Sequence, residues 1–152
     1  MITYEKGNLL NSNCGIICQQ VNCQGVMGAG IAKAIRDRWS KVYIEYINAC
    51  KNELNKLGNI NCVSISEEGK NPFYIINMFA QERYGRDGKC YTNYDSFRAC
   101  CKKIKCLPFS NLTIGFPDHI GCGLAGGDWT VIKEILEEEF GGEDWQVEIW
   151  KL

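Results

Sequence analysis

The chain has 152 residues, 45% of them hydrophobic and 23% charged, with a formal net charge of −1. That length and balance suit one globular domain with a full core, and they remove bulk charge as a reason to expect nucleic acid or an anionic membrane. A local positive site stays open, because backbone dipoles do not enter a formal count.

No apolar run approaches the roughly 18 residues of a spanning helix. The start, "MITYEKGNLL", has neither the basic region nor the apolar centre of a signal peptide. We therefore expect a cytoplasmic, monomeric domain over residues 1–152 with reduced thiols. Of the ten cysteines, Cys14, Cys18 and Cys23 fall at gaps of four and five, Cys100 and Cys101 are adjacent, and no C-x-x-C pair occurs. With His119 the single histidine, no metal site is expected. Most of these cysteines read as small core residues.

In chain order, "ITYEKG" is a first strand, and "GIICQQV", Gly15 to Val21, is apolar enough for a strand buried on both faces. Ile31, Ile35 and Trp39 then form the stripe of an amphipathic helix. A second helix places Val42, Tyr43, Tyr46, Ile47, Cys50 and Leu54 on one side and is expected to end near Leu57-Gly58. "NCVSISEEGKNPFYIINMF" reads as a hairpin whose turn runs from Glu67 to Pro72. Gln81 to Tyr91 has no periodicity and reads as a loop. A helix opens at Thr92 with Tyr94, Phe97, Cys101 and Ile104 on one face; "LTIGF" is a short buried strand. Helix Trp129 to Phe140 and strand "WQVEIWKL" close the chain.

The order β-β-α-α-β-β-α-β-α-β implies an α/β fold: a three-layer α/β/α sandwich with a mixed, mostly parallel sheet of about six strands. Two glycine-rich segments, "VNCQGVMGAGIAKAI" and "PDHIGCGLAGGDW", each follow a buried strand and precede a helix. In open α/β sheets ligands bind beyond the carboxyl ends of the strands, where helix N-termini offer unpaired N–H groups. Two facing loops of that kind make a backbone cradle for a diphosphate; tight turns alone are the plainer alternative. No glycine precedes Lys-Ser or Lys-Thr as a P-loop requires. "GCGLAG" matches the dinucleotide fingerprint in letters, but only one helix and one strand follow it.

Those two segments together resemble the macrodomain family, whose members bind ADP-ribose. The resemblance runs from "YEKGNLL" to "VEIWKL". It is greatest to the branch holding terminal ADP-ribose protein glycohydrolase, the ADP-ribose-1″-phosphate phosphatases and phage or bacterial relatives. The resemblance implies that Gly28, Ala29, Gly30 and Ile31 wrap the diphosphate from one side, and Gly121, Cys122, Gly123, Leu124, Ala125 and Gly126 from the other. It puts Asn22 beside the distal ribose. Gln24 is a further ligand-binding candidate, and Gln81 and Tyr84 are expected to line the distal end. Asn8 and Leu9 fall at the adenine end. Asn8 stands where many members carry an Asp for the adenine amino group, and its carbonyl oxygen can accept the same bond. Trp150 stands at the place of an aromatic near the base, with core packing as its alternative.

The chain also departs from these relatives. Ala125 replaces the Asp that follows G-C-G-L in the glycohydrolase pattern, and Ala80, Gln81 and Glu82 occupy the segment where that pattern has a lysine. Gln19 stands roughly where the phosphatases have a histidine. The remaining catalytic candidates are Asp128, Asn22 and His119. Asp128 precedes an apolar-periodic helix, so it is either a helix cap or a base that orients water. His119 is either a general acid–base group or a residue filling the turn. Cys23 and Cys122 lack a local histidine partner for a nucleophilic role.

The expected function is hydrolysis of a group on the distal ribose, either a 1″-phosphate or an ADP-ribosyl adduct on protein or nucleic acid. The alternative is a non-catalytic reader of ADP-ribose. ADP-ribose or an ADP-ribosylated substrate is the expected partner, with no cofactor, no metal and no membrane. Dinucleotide-dependent redox chemistry is a third reading.

Overall fold

The computed structural model describes residues 1–109 and 111–152. It has strands β1 (Ile2–Lys6), β2 (Ile16–Asn22), β3 (Ile60–Ile65), β4 (Phe73–Gln81), β5 (Ile114–Pro117) and β6 (Val147–Lys151). Helices are α1 (Gly30–Arg38), α2 (Ser40–Lys51), α3 (Tyr94–Lys105) and α4 (Trp129–Phe140), with a short 3₁₀ turn at Leu9–Asn11. The order of strands and α-helices is the one expected.

One sheet runs β1-β6-β5-β2-β4-β3. Every neighbouring pair is parallel except β3 and β4, the hairpin, in which Ile65 faces Phe73. Strands β2 and β4 lie inside the sheet and are covered on both faces. That is why their sequences are apolar runs without alternation. Helices α3 and α4 close one face over Cys18, Met78, Phe97, Phe116 and Phe140. The 3₁₀ turn, α1 and α2 close the other over Leu9, Ile17, Ile35, Tyr46 and Phe79. No helix among the described residues is long and apolar enough to cross a membrane.

Two boundaries differ from expectation. Helix α2 ends at Lys51, about two turns before Gly58. Glu53 takes the left-handed φ of 58°; the Leu54 amide donates to the Ala49 carbonyl and the Glu53 amide to that of Cys50. This is a Schellman stop built on glutamate instead of glycine, so composition carried no sign of it. Leu54 is consequently exposed, and the Gly58 amide instead donates to Phe79 in the sheet. Helix α3 starts at Tyr94 with Asn93 as its cap, accepting from the Ser96 amide. Thr92, expected to open that helix, has another task.

Candidate functional site

Parallel strands bring β2, β4 and β5 to a common carboxyl edge, and a cleft of about 200 Å³ opens there. Its floor is Gln20, Asn22 and Gln81; its walls come from three segments.

The first wall is the loop from β2 to α1, and Asn22 builds it. Asn22 is 6% exposed. Its Oδ1 accepts from the amides of Gln24 at 3.0 Å and Val26 at 3.3 Å, while its Nδ2 donates to the Val26 carbonyl at 2.7 Å. The Tyr46 hydroxyl lies 2.6 Å from the Asn22 carbonyl oxygen and accepts from the Gly25 amide. Asn22 faces the cleft, but its side chain is committed to shaping the loop. Beyond it, Ala29 precedes α1 in an extended conformation with no side-chain cap. Among the described residues, the amides of Gly28 to Ala32 have no acceptor within the protein. Gly30, at φ 58°, turns the chain into the helix at this point. An uncapped helix start beside a cleft is an anion site.

The second wall is the tip of the loop between β5 and α4, where Leu124 and Ala125 line the cleft. Behind the tip the loop is hydrogen-bonded to itself: Cys122 to His119, Gly126 to Gly123 and Gly127 to Gly121. Gly121, Cys122, Gly123 and Gly126 shape this loop without lining the cleft. A Cβ on Gly126 would stand 2.4 Å from the Lys89 carbonyl oxygen, so only glycine fits.

The third wall is the segment that the sequence marked only as an aperiodic loop. Residues 82–91 are tied at both ends. The Cys23 amide donates to the Glu82 carbonyl and the Tyr84 amide to Gln24 Oε1; the amides of Tyr91 and Thr92 both donate to the Ala125 carbonyl. Tyr84, Gly85 and Arg86 face the cleft. Beneath them, Gln20 Nε2 lies 2.9 Å from both Gln81 Oε1 and Thr92 Oγ1, and the Thr92 hydroxyl donates to the Gly121 carbonyl. One amide thus brackets β2, β4 and the second loop together. Gln20, Thr92, Gly85 and Arg86 were missed by sequence reasoning. The "YGR" of Tyr84 to Arg86 was the one available signal, an aromatic and a cation beside a glycine.

Other expected site residues lie elsewhere. Asn8 is exposed, and its Oδ1 accepts from the Leu10 amide as cap of the 3₁₀ turn. Leu9 is core, 4% exposed. Trp150 is half-buried; its Nε1 donates to Glu148 Oε1 at 3.1 Å and its ring backs onto Gly7. Asn8 and Trp150 therefore adjoin at the ends of β1 and β6, outside the cleft. Gln24 is engaged with Tyr84, and Ile31 packs against the core on the α1 side. Gln19 is fully buried and donates to Asn77 Oδ1 at 2.7 Å, turned away from the cleft.

For catalysis the geometry redirects the expectation. Asp128 accepts from the Thr130 amide at 2.9 Å as the cap of α4, and it does not line the cleft. His119 sits at φ 58°, stacks on Trp129 with centroids 4.9 Å apart and holds Nδ1 2.7 Å from Asp118 Oδ2, also outside the cleft. Both residues therefore occupy structural positions, for the same reason: they lie at the base of the second loop, and only its tip reaches the cleft. Burial pushes the Cys23 and Cys122 thiols up to about 11, so both remain protonated at neutral pH. Among the described lining residues, only Tyr84 and Arg86 are titratable. The cleft can bind an anion, orient hydroxyls and admit a flat group at its mouth.

This is an α/β domain with a cleft at the carboxyl edge of its sheet and an uncapped helix start beside it. The Macro domain profile matches residues 18–136, and the chain belongs to that family. A Mycobacterium tuberculosis protein named DNA ADP-ribosyl glycohydrolase is 28% identical over 141 residues, covering 92% of this chain and 39% of the relative. The chain thus spans about two fifths of that protein's length. The Bos taurus ADP-ribose glycohydrolase OARD1 is 26% identical over 156 residues, covering 99% of this chain and 91% of the relative. The solved macrodomain of Mycobacterium tuberculosis DarG superposes with a TM-score of 0.84 at 27% identity, covering 99% and 97% of the two chains.

Proposed function

We propose that this macro domain, taken as one unit over residues 1–152, binds the ADP-ribosyl group and hydrolyses the bond at its distal ribose. The observation that carries the reading is the uncapped start of α1 beside the cleft. The diphosphate lies over the amides of Gly28 to Ile31, with Leu124 and Ala125 closing from the other side. The distal ribose then faces Asn22 and Gln81, and the adenosine extends toward Asn8 and Trp150. Names of two relatives, both glycohydrolases, favour cleavage of the glycosidic bond over removal of a phosphate. Water forms the new bond to C1″, the bond to the attached group breaks, and that group leaves with a proton. The protein's part is chiefly to hold the ribose and the water in line.

Calorimetric titration with ADP-ribose, NAD and ADP tests the binding step. Micromolar affinity for ADP-ribose with much weaker NAD supports the reading; no heat with ADP-ribose ends it. Chromatographic assay for ADP-ribose released from a ribosylated peptide or oligonucleotide then tests hydrolysis. A second reading, a non-catalytic reader, is favoured by the scarcity of titratable groups lining the cleft. Tight binding with no release from any adduct would establish that reading instead.

A further inference from the structure

We propose that Gln20 is a positioning residue for the distal ribose: its carboxamide, held in one orientation by its neighbours, fixes which atoms of Gln81 the cleft presents. The inference rests on the reading above, which lays the distal ribose over Gln81.

The orientation follows from counting donors. Gln81 Nε2 lies 2.9 Å from the Arg83 carbonyl oxygen, and a backbone carbonyl can only accept. That end of Gln81 is therefore its NH2 group, and its oxygen is the end turned to Gln20. The Thr92 hydroxyl is likewise spent. Its one proton goes to the Gly121 carbonyl at 2.6 Å, which leaves its oxygen as an acceptor. Gln20 thus meets two acceptors, Gln81 Oε1 and Thr92 Oγ1, each at 2.9 Å. Its Nε2 carries two hydrogens, and both are used. Turning either amide over would set oxygen against oxygen.

This arrangement leaves Gln20 Oε1 buried with no donor among the described residues. It lies so close to the second loop that a Cβ on Gly121 would stand 2.7 Å from it. A buried acceptor without a partner costs stability, and an apolar side chain of the same length would fill the space without that cost. What the carboxamide adds is direction. Gln81 holds its acceptor toward Gln20 and its donor toward Arg83 before any ligand arrives, so ribose hydroxyls meet a polarity already set. None of these bonds involves the start of α1, where the same reading places the diphosphate. The distal ribose and the diphosphate can therefore be tested apart.

The test is calorimetric titration with ADP-ribose and with ADP, which lacks the distal ribose. Gln20→Met keeps the length of the side chain and removes the donor. It should weaken ADP-ribose about tenfold and ADP less than about twofold, the difference being the loss of one fixed hydrogen-bonding arrangement. Thr92→Val, at a residue outside the cleft, should shift the same ratio in the same direction by about threefold. Gln20→Glu sets a carboxylate against two acceptors. Ionised, it repels Gln81 Oε1; protonated, it regains one donor. Burial and the absence of donors raise its pKa above the ordinary value of about 4.3. Its ADP-ribose affinity relative to the unaltered protein should therefore recover as pH falls from about 8 to about 5. Tyr84 and Arg86, the titratable residues lining the cleft, are common to both proteins and cancel in that ratio.

A residue that only fills space would lower the melting temperature and weaken both ligands alike, or neither. Either result overturns the proposal, as does Gln20→Glu without recovery at low pH. Should Gln20→Met fail to fold, Thr92→Val decides. Absence of turnover in the unaltered protein would end the hydrolase reading and leave the comparison of ADP-ribose with ADP intact. Equal affinity of the unaltered protein for the two ligands would overturn the proposal even where hydrolysis is observed. No binding of ADP-ribose would end both.

Discussion

The two glycine-rich junctions look alike in sequence and differ in what they leave unsatisfied. At the first, α1 begins after Ala29 with no cap, and the amides of Gly28 to Ala32 have no acceptor among the described residues. At the second, Asp128 caps α4, its own amide donates to the Tyr94 hydroxyl at 2.9 Å, and Gly126 and Gly127 bond back into the loop. One junction keeps its donors for a ligand. The other spends most of them on itself and offers only the tip at Leu124 and Ala125. Glycine content reports that a chain can turn; the residue at the cap position decides whether the turn can bind an anion.

The largest effect expected from breaking this arrangement is at Gly126. Gly126→Val forces a side chain against the Lys89 carbonyl at a residue whose φ is 71°. It should cost about 3 kcal/mol or more of stability, seen as a large drop in melting temperature. Because the second and third walls meet there, ADP-ribose binding should be lost with it.

Making the first junction resemble the second separates stability from binding. Ala29→Asp supplies the missing cap, so thermal stability should rise by about 0.5–1 kcal/mol. The same carboxylate occupies the amides and repels the diphosphate, so ADP-ribose affinity should fall at least about tenfold, or about 1.4 kcal/mol. Higher melting with undiminished affinity would show that the diphosphate lies elsewhere.

Removing the cap at the second junction should do the opposite. Asp128→Ala should cost about 1 kcal/mol of stability and leave ADP-ribose affinity within a few-fold. Asp128→Asn, which keeps an acceptor for Thr130 and removes the charge, should restore stability and leave turnover unchanged. Loss of turnover in the asparagine variant alone would return Asp128 to the role of base.

The smallest effect lies at the far end of α4. Burial raises the Glu139 carboxyl, but hydrogen bonds from Lys105, Arg98 and Lys102 outweigh it and bring the group from 4.5 down to about 2. The folded form thus holds its charge more tightly than the unfolded chain does. This contribution is complete above about pH 4.5 and is lost as pH falls through about 2. Glu139→Gln should flatten the stability profile across that window, measured by urea unfolding, and leave the cleft unaffected.

Much of the fold was legible because burial writes itself into periodicity. The mostly apolar segment Gly15–Val21 marked a strand covered on both faces, the segments either side of Glu67–Pro72 marked a hairpin, and the stripe Phe97, Cys101, Ile104 marked α3. The end of α2 was not legible, since Glu53 stops the helix through a backbone conformation that its side chain does not advertise. In the site, the resemblance led to Gly28, Ala29, Leu124 and Ala125, all at the cleft. It also led to Asp128 and His119, which serve the second loop. Tyr84 was expected at the distal end, but Gly85, Arg86 and the Gln20 bracket were not, because the wall and the bracket are set by partners about 60 to 70 residues away in sequence.

Taken alone, the amino-acid sequence determined which segments are strands and helices, their order, and that two glycine turns stand where an α/β sheet binds its ligands. Those properties follow from local periodicity, and from which residues tolerate a tight turn. Only the tertiary structure decided which turn keeps free amides and that an aperiodic loop is the third wall. Unpaired donors and local fields depend on which distant groups meet, and pairing across the sheet settles that.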